Sequence, residues 1–128
     1  MSKSILVVDD SSSMRQLLGA TLRSAGYQVI EASDGQEALD YARKNPVDLV
    51  LTDVNMPHMD GISLIAQLRT LNHYYLTPLL LLTTETSPER KVDGKQAGAT
   101  GWITKPFSPQ QLISTLERVL GSDRAVQA

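Results

Sequence analysis

The chain has no cysteine, which removes disulfide frameworks, thiolate metal sites and thiol nucleophiles and makes a reducing cytoplasm the simplest setting. It has no apolar run approaching the length needed to cross a bilayer. The opening MSKSILVVDD reaches two aspartates after only a handful of apolar residues, too few for a signal-peptide core. The expectation is a soluble, cytoplasmic protein with no membrane partner. An excess of positive charge is missing as well: 12 Lys and Arg stand against 14 Asp and Glu, for a net charge of −2. The basic residues are scattered, which argues against nucleic acid as a direct partner. Repeats, linkers and low-complexity segments are also lacking. What is present is a chain of 128 residues, enough for one domain whose folding buries roughly two thirds of its extended surface.

Short apolar runs alternate with helical patterns from end to end. Residues 5–8, 28–31, 48–52, 79–83 and 102–104 read as five strands. The first intervening segment repeats Met14, Leu17, Leu18, Leu22 and Ala25 at helical spacing and stops at Gly26, so one face is expected to be buried. Asp34 with Glu37, and Ser108 with Pro109 and Gln111, carry helix-start signals. The last helix then buries Leu112, Ile113, Leu116, Val119 and Leu120, with Gly121 ending it. Residues 87–97 start well at Ser87 and Pro88 but offer only Val92 and Ala97 as buried contacts, which predicts a loosely held helix. Strictly alternating strands and helices imply an α/β fold, a parallel sheet covered on both faces by right-handed crossovers.

Polar residues interrupt the strands on one edge. Asp9 and Asp10 end the first, Asp53 the third and Thr83 the fourth, while Lys105 follows the fifth. In an open α/β sheet the carboxyl ends of the strands form the ligand crevice, so these side chains should converge. Three carboxylates brought together repel one another unless a cation sits among them. Oxygen-only ligands, without cysteine or a nearby histidine, favour Mg²⁺ over zinc. A carboxylate can act as a nucleophile toward phosphorus, and Asp53 is the candidate. Lys105 would supply a compact positive charge, and the Thr83 hydroxyl could donate to a phosphoryl oxygen. Taken singly, each of these residues has a plainer reading. Asp9 and Asp10 would cap the next helix, Asp53 would be a turn residue, and Thr83 a core hydroxyl bonded to backbone. Their joint occurrence favours a site. His58 and His73 lack partners at metal spacing and read as surface residues. Residues 72–75 form an aromatic loop start that reads as packing beneath the fourth strand.

The segments ILVVDD, LVLTDVNMPHMDG, LLLLTTE and GWITKPF resemble, in order and spacing, the response-regulator receiver domains. The likeness covers essentially the whole chain. It implies a flavodoxin-like (βα)5 doubly wound fold with strand order 2-1-3-4-5, a receiver domain over residues 1–121 and a polar tail over 122–128 without an output domain. By the same resemblance Asp53 is the phosphoacceptor and Asp10 and Asp53 are side-chain ligands of Mg²⁺. Asp9 would hold the metal through water and Asn55 through its backbone carbonyl. Lys105 matches the family's invariant lysine, Thr83 its switch hydroxyl, and Pro106 the residue that usually follows a cis peptide. Trp102 stands where the family commonly has tyrosine or phenylalanine as a rotating switch. Asn55 and Glu85 flank the site at positions that tune hydrolysis and resemble the chemotaxis type.

The resemblance also implies partners: a histidine kinase as phosphoryl donor, and an effector that reads residues 87–97, the last strand and the last helix. For a chemotaxis member the effector would be a flagellar motor switch protein. The chain would be a monomeric switch that catalyses only its own phosphorylation and dephosphorylation. A phosphorelay intermediate or phosphate sink is the alternative. A phosphatase of the aspartyl-phosphate type fits less well, because the acid expected two residues past the nucleophile is Asn55.

Overall fold

The computed structural model describes residues 2–84 and 88–121. Five strands, β1 (Ser4–Val8), β2 (Gln28–Ala32), β3 (Leu49–Asp53), β4 (Leu79–Thr83) and β5 (Gly101–Thr104), alternate with five helices. These are α1 (Ser12–Ser24), α2 (Gly35–Lys44), α3 (Gly61–Leu68), α4 (Pro88–Ala97) and α5 (Pro109–Leu120). All strand pairs are parallel and the order is β2-β1-β3-β4-β5. This is the flavodoxin-like arrangement expected.

Side chains of a strand point alternately to opposite faces, and the two cores follow from that. Leu6, Val8, Val50, Leu79 and Leu81 meet Ala38, Leu39 and Ala42 of α2 and Leu64, Ile65 and Leu68 of α3. Ile5, Val7, Leu49, Leu51, Leu80 and Leu82 meet Leu18 and Leu22 of α1 and Leu112, Leu116 and Leu120 of α5. Each fully buried leucine contributes about 1.5–3 kcal/mol of transfer free energy before conformational entropy is subtracted. The central strands β3 and β4 are buried throughout.

Helix starts are fixed by side-chain caps. Ser11 accepts from Met14 N at 3.2 Å, Asp34 from Glu37 N at 2.7 Å, Asp60 from Ser63 N at 2.7 Å and Ser108 from Gln111 N at 3.4 Å. The Glu37 carboxylate accepts from Ser33 N at 2.9 Å rather than from the cap residue's own N–H. Pro109 occupies the first turn of α5, where its missing N–H costs nothing.

Several boundaries differ from the sequence expectation. β2 runs one residue further, to Ala32, and β3 is displaced by one, so Asp53 is its last residue rather than the residue after it. On α1, Leu17 is 52% exposed and Ala25 caps the exposed end. Spacing placed both on the buried stripe, but the stripe that meets the sheet is narrower. Val92 of α4 is likewise 52% exposed, and Gly94 is the helix's buried residue. The Ser87 start signal, Glu85 and the 122–128 tail lie outside the described residues. The aromatic loop start divides: Asn72–Tyr74 forms a short 3-10 turn with Tyr74 fully buried, while Tyr75 and Leu76 face outward.

Candidate functional site

The carboxyl ends of β1, β3, β4 and β5 bring the expected residues to one edge. Asp9 and Asp10 follow β1, Asp53 closes β3, Thr83 closes β4, and Lys105 follows β5. Asp9, Thr83 and Asp53 are all buried, and for the two carboxylates that is unusual and calls for compensation. Lys105 supplies part of it. Its Nζ donates to Asp53 Oδ1 at 3.0 Å and lies 3.6 Å from Asp9 Oδ2. Lys105 N donates to the Thr83 carbonyl at 2.9 Å, so the strand ladder itself carries the lysine to the pocket.

One lysine does not balance three aspartates. Oxygens of Asp9, Asp10 and Asp53 lie within 4.8 Å of one another. Burial raises the Asp53 carboxyl above its ordinary value of 3.8; the Lys105 hydrogen bond and charge pull it down, and the charges of Asp9 and Asp10 push it up. Asp9 Oδ2 is buried without a hydrogen-bond partner among the described residues. A buried carboxylate oxygen in that state is costly unless a cation completes it. The donor set is all oxygen, which suits a hard divalent ion that keeps part of its water shell. The residues present therefore fit a Mg²⁺ ion.

Two residues that sequence reasoning did not single out shape this edge. Gly61 opens α3, and a Cβ there would collide with the backbone carbonyl of Asp53. Its N–H donates to Val54 O at 2.9 Å. The Asp-Gly pair before an apolar run was the available signal, because only glycine lets a helix start so close to a strand end. Arg15, in the first turn of α1, donates from Nη1 to the carbonyl of Asp9 at 2.7 Å. Asn55 is exposed beside the pocket. His58 lies in the same loop with φ of 71°, and His73 is exposed, with Nε2 2.9 Å from Ala42 O. The Lys105–Pro106 peptide is cis, as expected.

Trp102 sits in β5 opposite Leu81 and packs, partly buried, against the α2 and α3 face of the sheet and the α4 helix. Among the described residues no helix is long and apolar enough to cross a membrane.

The pattern of five parallel strands with an acidic pocket, a lysine and a threonine at their carboxyl ends recurs in known proteins. Residues 5–117 match the response regulator receiver domain, and the chain belongs to that family. It is 51% identical to the chemotaxis protein CheY4 of Vibrio cholerae, covering 94% of this chain and all of that one with a TM-score of 0.91. It is 42% identical over 120 residues to the alkaline phosphatase synthesis transcriptional regulatory protein PhoP of Bacillus subtilis; that match covers 94% of this chain but only 49% of PhoP. The receiver domain of the sensor histidine kinase PA1611 of Pseudomonas aeruginosa, solved with a magnesium ion coordinated in its active-site cleft, is 30% identical. It covers 94% of this chain and 99% of its own, with a TM-score of 0.88.

Proposed function

We propose that this receiver domain is a Mg²⁺-dependent phosphorylation switch in which Asp53 takes a phosphoryl group from a histidine kinase. The observation that carries the reading is the setting of the Asp53 carboxylate: Oδ1 accepts from Lys105 while Asp9 and Asp10 crowd the same pocket. A carboxylate oxygen of Asp53 attacks phosphorus, an oxygen–phosphorus bond forms and the nitrogen–phosphorus bond of the donor phosphohistidine breaks. The departing electron pair stays on the imidazole nitrogen, which takes a proton from solvent.

Asp9, Asp10, Asp53 and the Asn55 carbonyl would hold Mg²⁺. When bound, the ion neutralises charge on the phosphoryl oxygens. Lys105 keeps its ammonium beside the acceptor oxygen and offers a second positive charge to the transferred group. The Thr83 hydroxyl, at the end of the neighbouring strand, donates to a phosphoryl oxygen that was absent before transfer. Drawing Thr83 and Lys105 inward rebalances the packing of Trp102 and α4. The chain thus acts on itself and passes the signal by contact rather than turning over a foreign substrate.

The likeness to CheY4 across the whole of that protein supports a chemotaxis regulator in the cytoplasm, a monomer whose α4, β5 and α5 face binds a flagellar motor switch protein. The likeness to half of PhoP supports a second reading, a receiver module whose effector is not the motor. A phosphorelay or phosphate-sink role is the remaining alternative. Phosphoryl back-transfer to a histidine domain separates that role from motor binding.

The test is intact mass after incubation with acetyl phosphate, with and without Mg²⁺, in wild type and Asp53→Asn. A Mg²⁺-dependent gain of one phosphoryl group, lost in the variant, is expected. No gain at saturating Mg²⁺ overturns the phosphoacceptor assignment. Motor binding is then read by capture on purified switch protein of phosphorylated against unphosphorylated chain.

A further inference from the structure

Asp9 is held at three of its four polar atoms. Its backbone N–H donates to Ala32 O at 3.2 Å, Ser11 N donates to Oδ1 at 2.9 Å, and Arg15 Nη1 donates to its carbonyl at 2.7 Å. The fourth atom, Oδ2, is the buried oxygen without a hydrogen-bond partner among the described residues, aimed at the ammonium that also serves Asp53. Arg15 is itself held. Its Nε lies 3.6 Å from Glu31 Oε1 on β2, and Arg23, further along α1, lies 3.3 Å from Glu31 Oε2. The Arg15 side chain is only 19% exposed.

We infer that Arg15 is a positioning residue for the acidic pocket: its grip on the Asp9 carbonyl fixes the end of β1 so that Oδ2 stays presented to a divalent cation. The inference rests on the reading of the pocket as a Mg²⁺ site, and it assigns the support behind that site to α1 and β2. Two effects of the guanidinium oppose each other. Its charge repels an incoming cation, while its short charge-assisted hydrogen bond orders the Asp9 carboxylate that faces the cation site. Glu31 decides the balance by pairing with Arg15, which leaves the hydrogen bond in place and offsets the charge. A positioning effect survives high salt, whereas a bare charge effect is screened.

The experiment is calorimetric titration of the full chain with MgCl2 alone, at low and high ionic strength, in wild type, Arg15→Met, Arg15→Lys and Arg23→Ala. Arg15→Met keeps the packed stem and deletes the donor, and Arg15→Lys restores a donor; thermal unfolding without Mg²⁺ checks that each chain is folded. Arg15→Met is expected to weaken Mg²⁺ binding about 10-fold, in the range seen for partners behind metal ligands, at both salt concentrations. Arg15→Lys should recover part of the loss, and Arg23→Ala, which touches Glu31 but not Asp9, should bind like wild type. Unchanged or tighter binding by Arg15→Met overturns the inference, and so does a loss shared equally by Arg23→Ala or abolished by salt. Failure of wild type to bind Mg²⁺ at all overturns the metal reading itself, a distinct result.

Discussion

Gly94 of α4 lies so close to Trp102 that a methyl group on its Cα would come within 2.7 Å of the indole Cζ2 and 2.9 Å of Leu81 Cδ1. The helix therefore carries a notch where it crosses the ring. A glycine inside a helix costs about 1 kcal/mol relative to alanine, and Val92 of α4 faces outward, so α4 meets the core through Gly94 and Ala97. The bulk of the indole and the glycine in α4 are thus two sides of one packing solution.

Gly94→Ala sets helix propensity against that clash. Overpacking costs about 1–3 kcal/mol, more than the propensity gain, so a net loss of stability in urea denaturation is expected. Emission from Trp102, the chain's only tryptophan, should shift to the red as the ring is pushed toward water. With Trp102→Ala also present, Gly94→Ala should turn neutral or stabilising. Equal destabilisation in both backgrounds would place the clash at Leu81 and sink the notch.

Arg69, the residue that ends α3, ties two connections together, the one between α3 and β4 and the one between α4 and β5. It donates to the carbonyls of Tyr74 at 2.6 Å, Thr77 at 2.8 Å and Gly98 at 3.0 Å. The guanidinium fork reaches acceptors that a lysine ammonium cannot serve at once. Arg69→Lys is expected to cost about 2 kcal/mol through carbonyls left without a donor. Hydrogen exchange should quicken at the α4–β5 junction around Gly98, and a loss of stability without that local change would count against the tie.

The fold was legible because the strand runs are short, apolar and separated by capped helices. The Leu79 to Leu82 run suited a strand buried on both faces, and Ser108-Pro109 carried a helix-start signal. The site was legible for a related reason: charge at the end of an apolar strand has no packing role, so Asp9, Asp53 and Lys105 stood out. Contacts between surfaces were not legible. Helical spacing put Leu17 and Val92 inside, yet both face outward, because spacing gives a stripe's direction and not the width of sheet available to cover it. Nothing in the sequence singled out Arg15. Its role depends on the carbonyl of Asp9, a backbone atom that sequence does not distinguish.

Protonation of Asp53 makes stability depend on pH. Burial raises its pKa in the folded chain above the ordinary 3.8, so the folded state holds a proton at pH values where the unfolded state has lost it. The corresponding stability is present below the unfolded value and is lost as pH rises through the folded one. Asp53→Asn removes this dependence. In Mg²⁺-free urea denaturation the variant's advantage over wild type should grow from acid to neutral pH; a constant or shrinking difference would contradict the direction of the shift.

Lys105 pairs with the carboxylates of the pocket and would compete with a cation for them, and replacing it separates the two roles. Lys105→Met deletes the hydrogen bond to Asp53 Oδ1 and the nearby charge facing Asp9. Without Mg²⁺ the chain should lose about 1–3 kcal/mol, the scale of a hydrogen bond to a charged group, tempered by the lysine's partial exposure. Asp53 should rise further, because both influences that lowered its pKa came from Lys105. The three aspartates then face one another uncompensated, and a divalent ion has more charge to neutralise. Mg²⁺ should therefore bind Lys105→Met more tightly than wild type at neutral pH and raise its unfolding temperature by a larger margin. Phosphorylation by acetyl phosphate should nevertheless slow, since the transferred group loses its second positive neighbour. Tighter metal binding with slower transfer distinguishes a lysine that works on the phosphoryl group from one that only holds the pocket together; if both fell in parallel, the lysine's contribution would be structural.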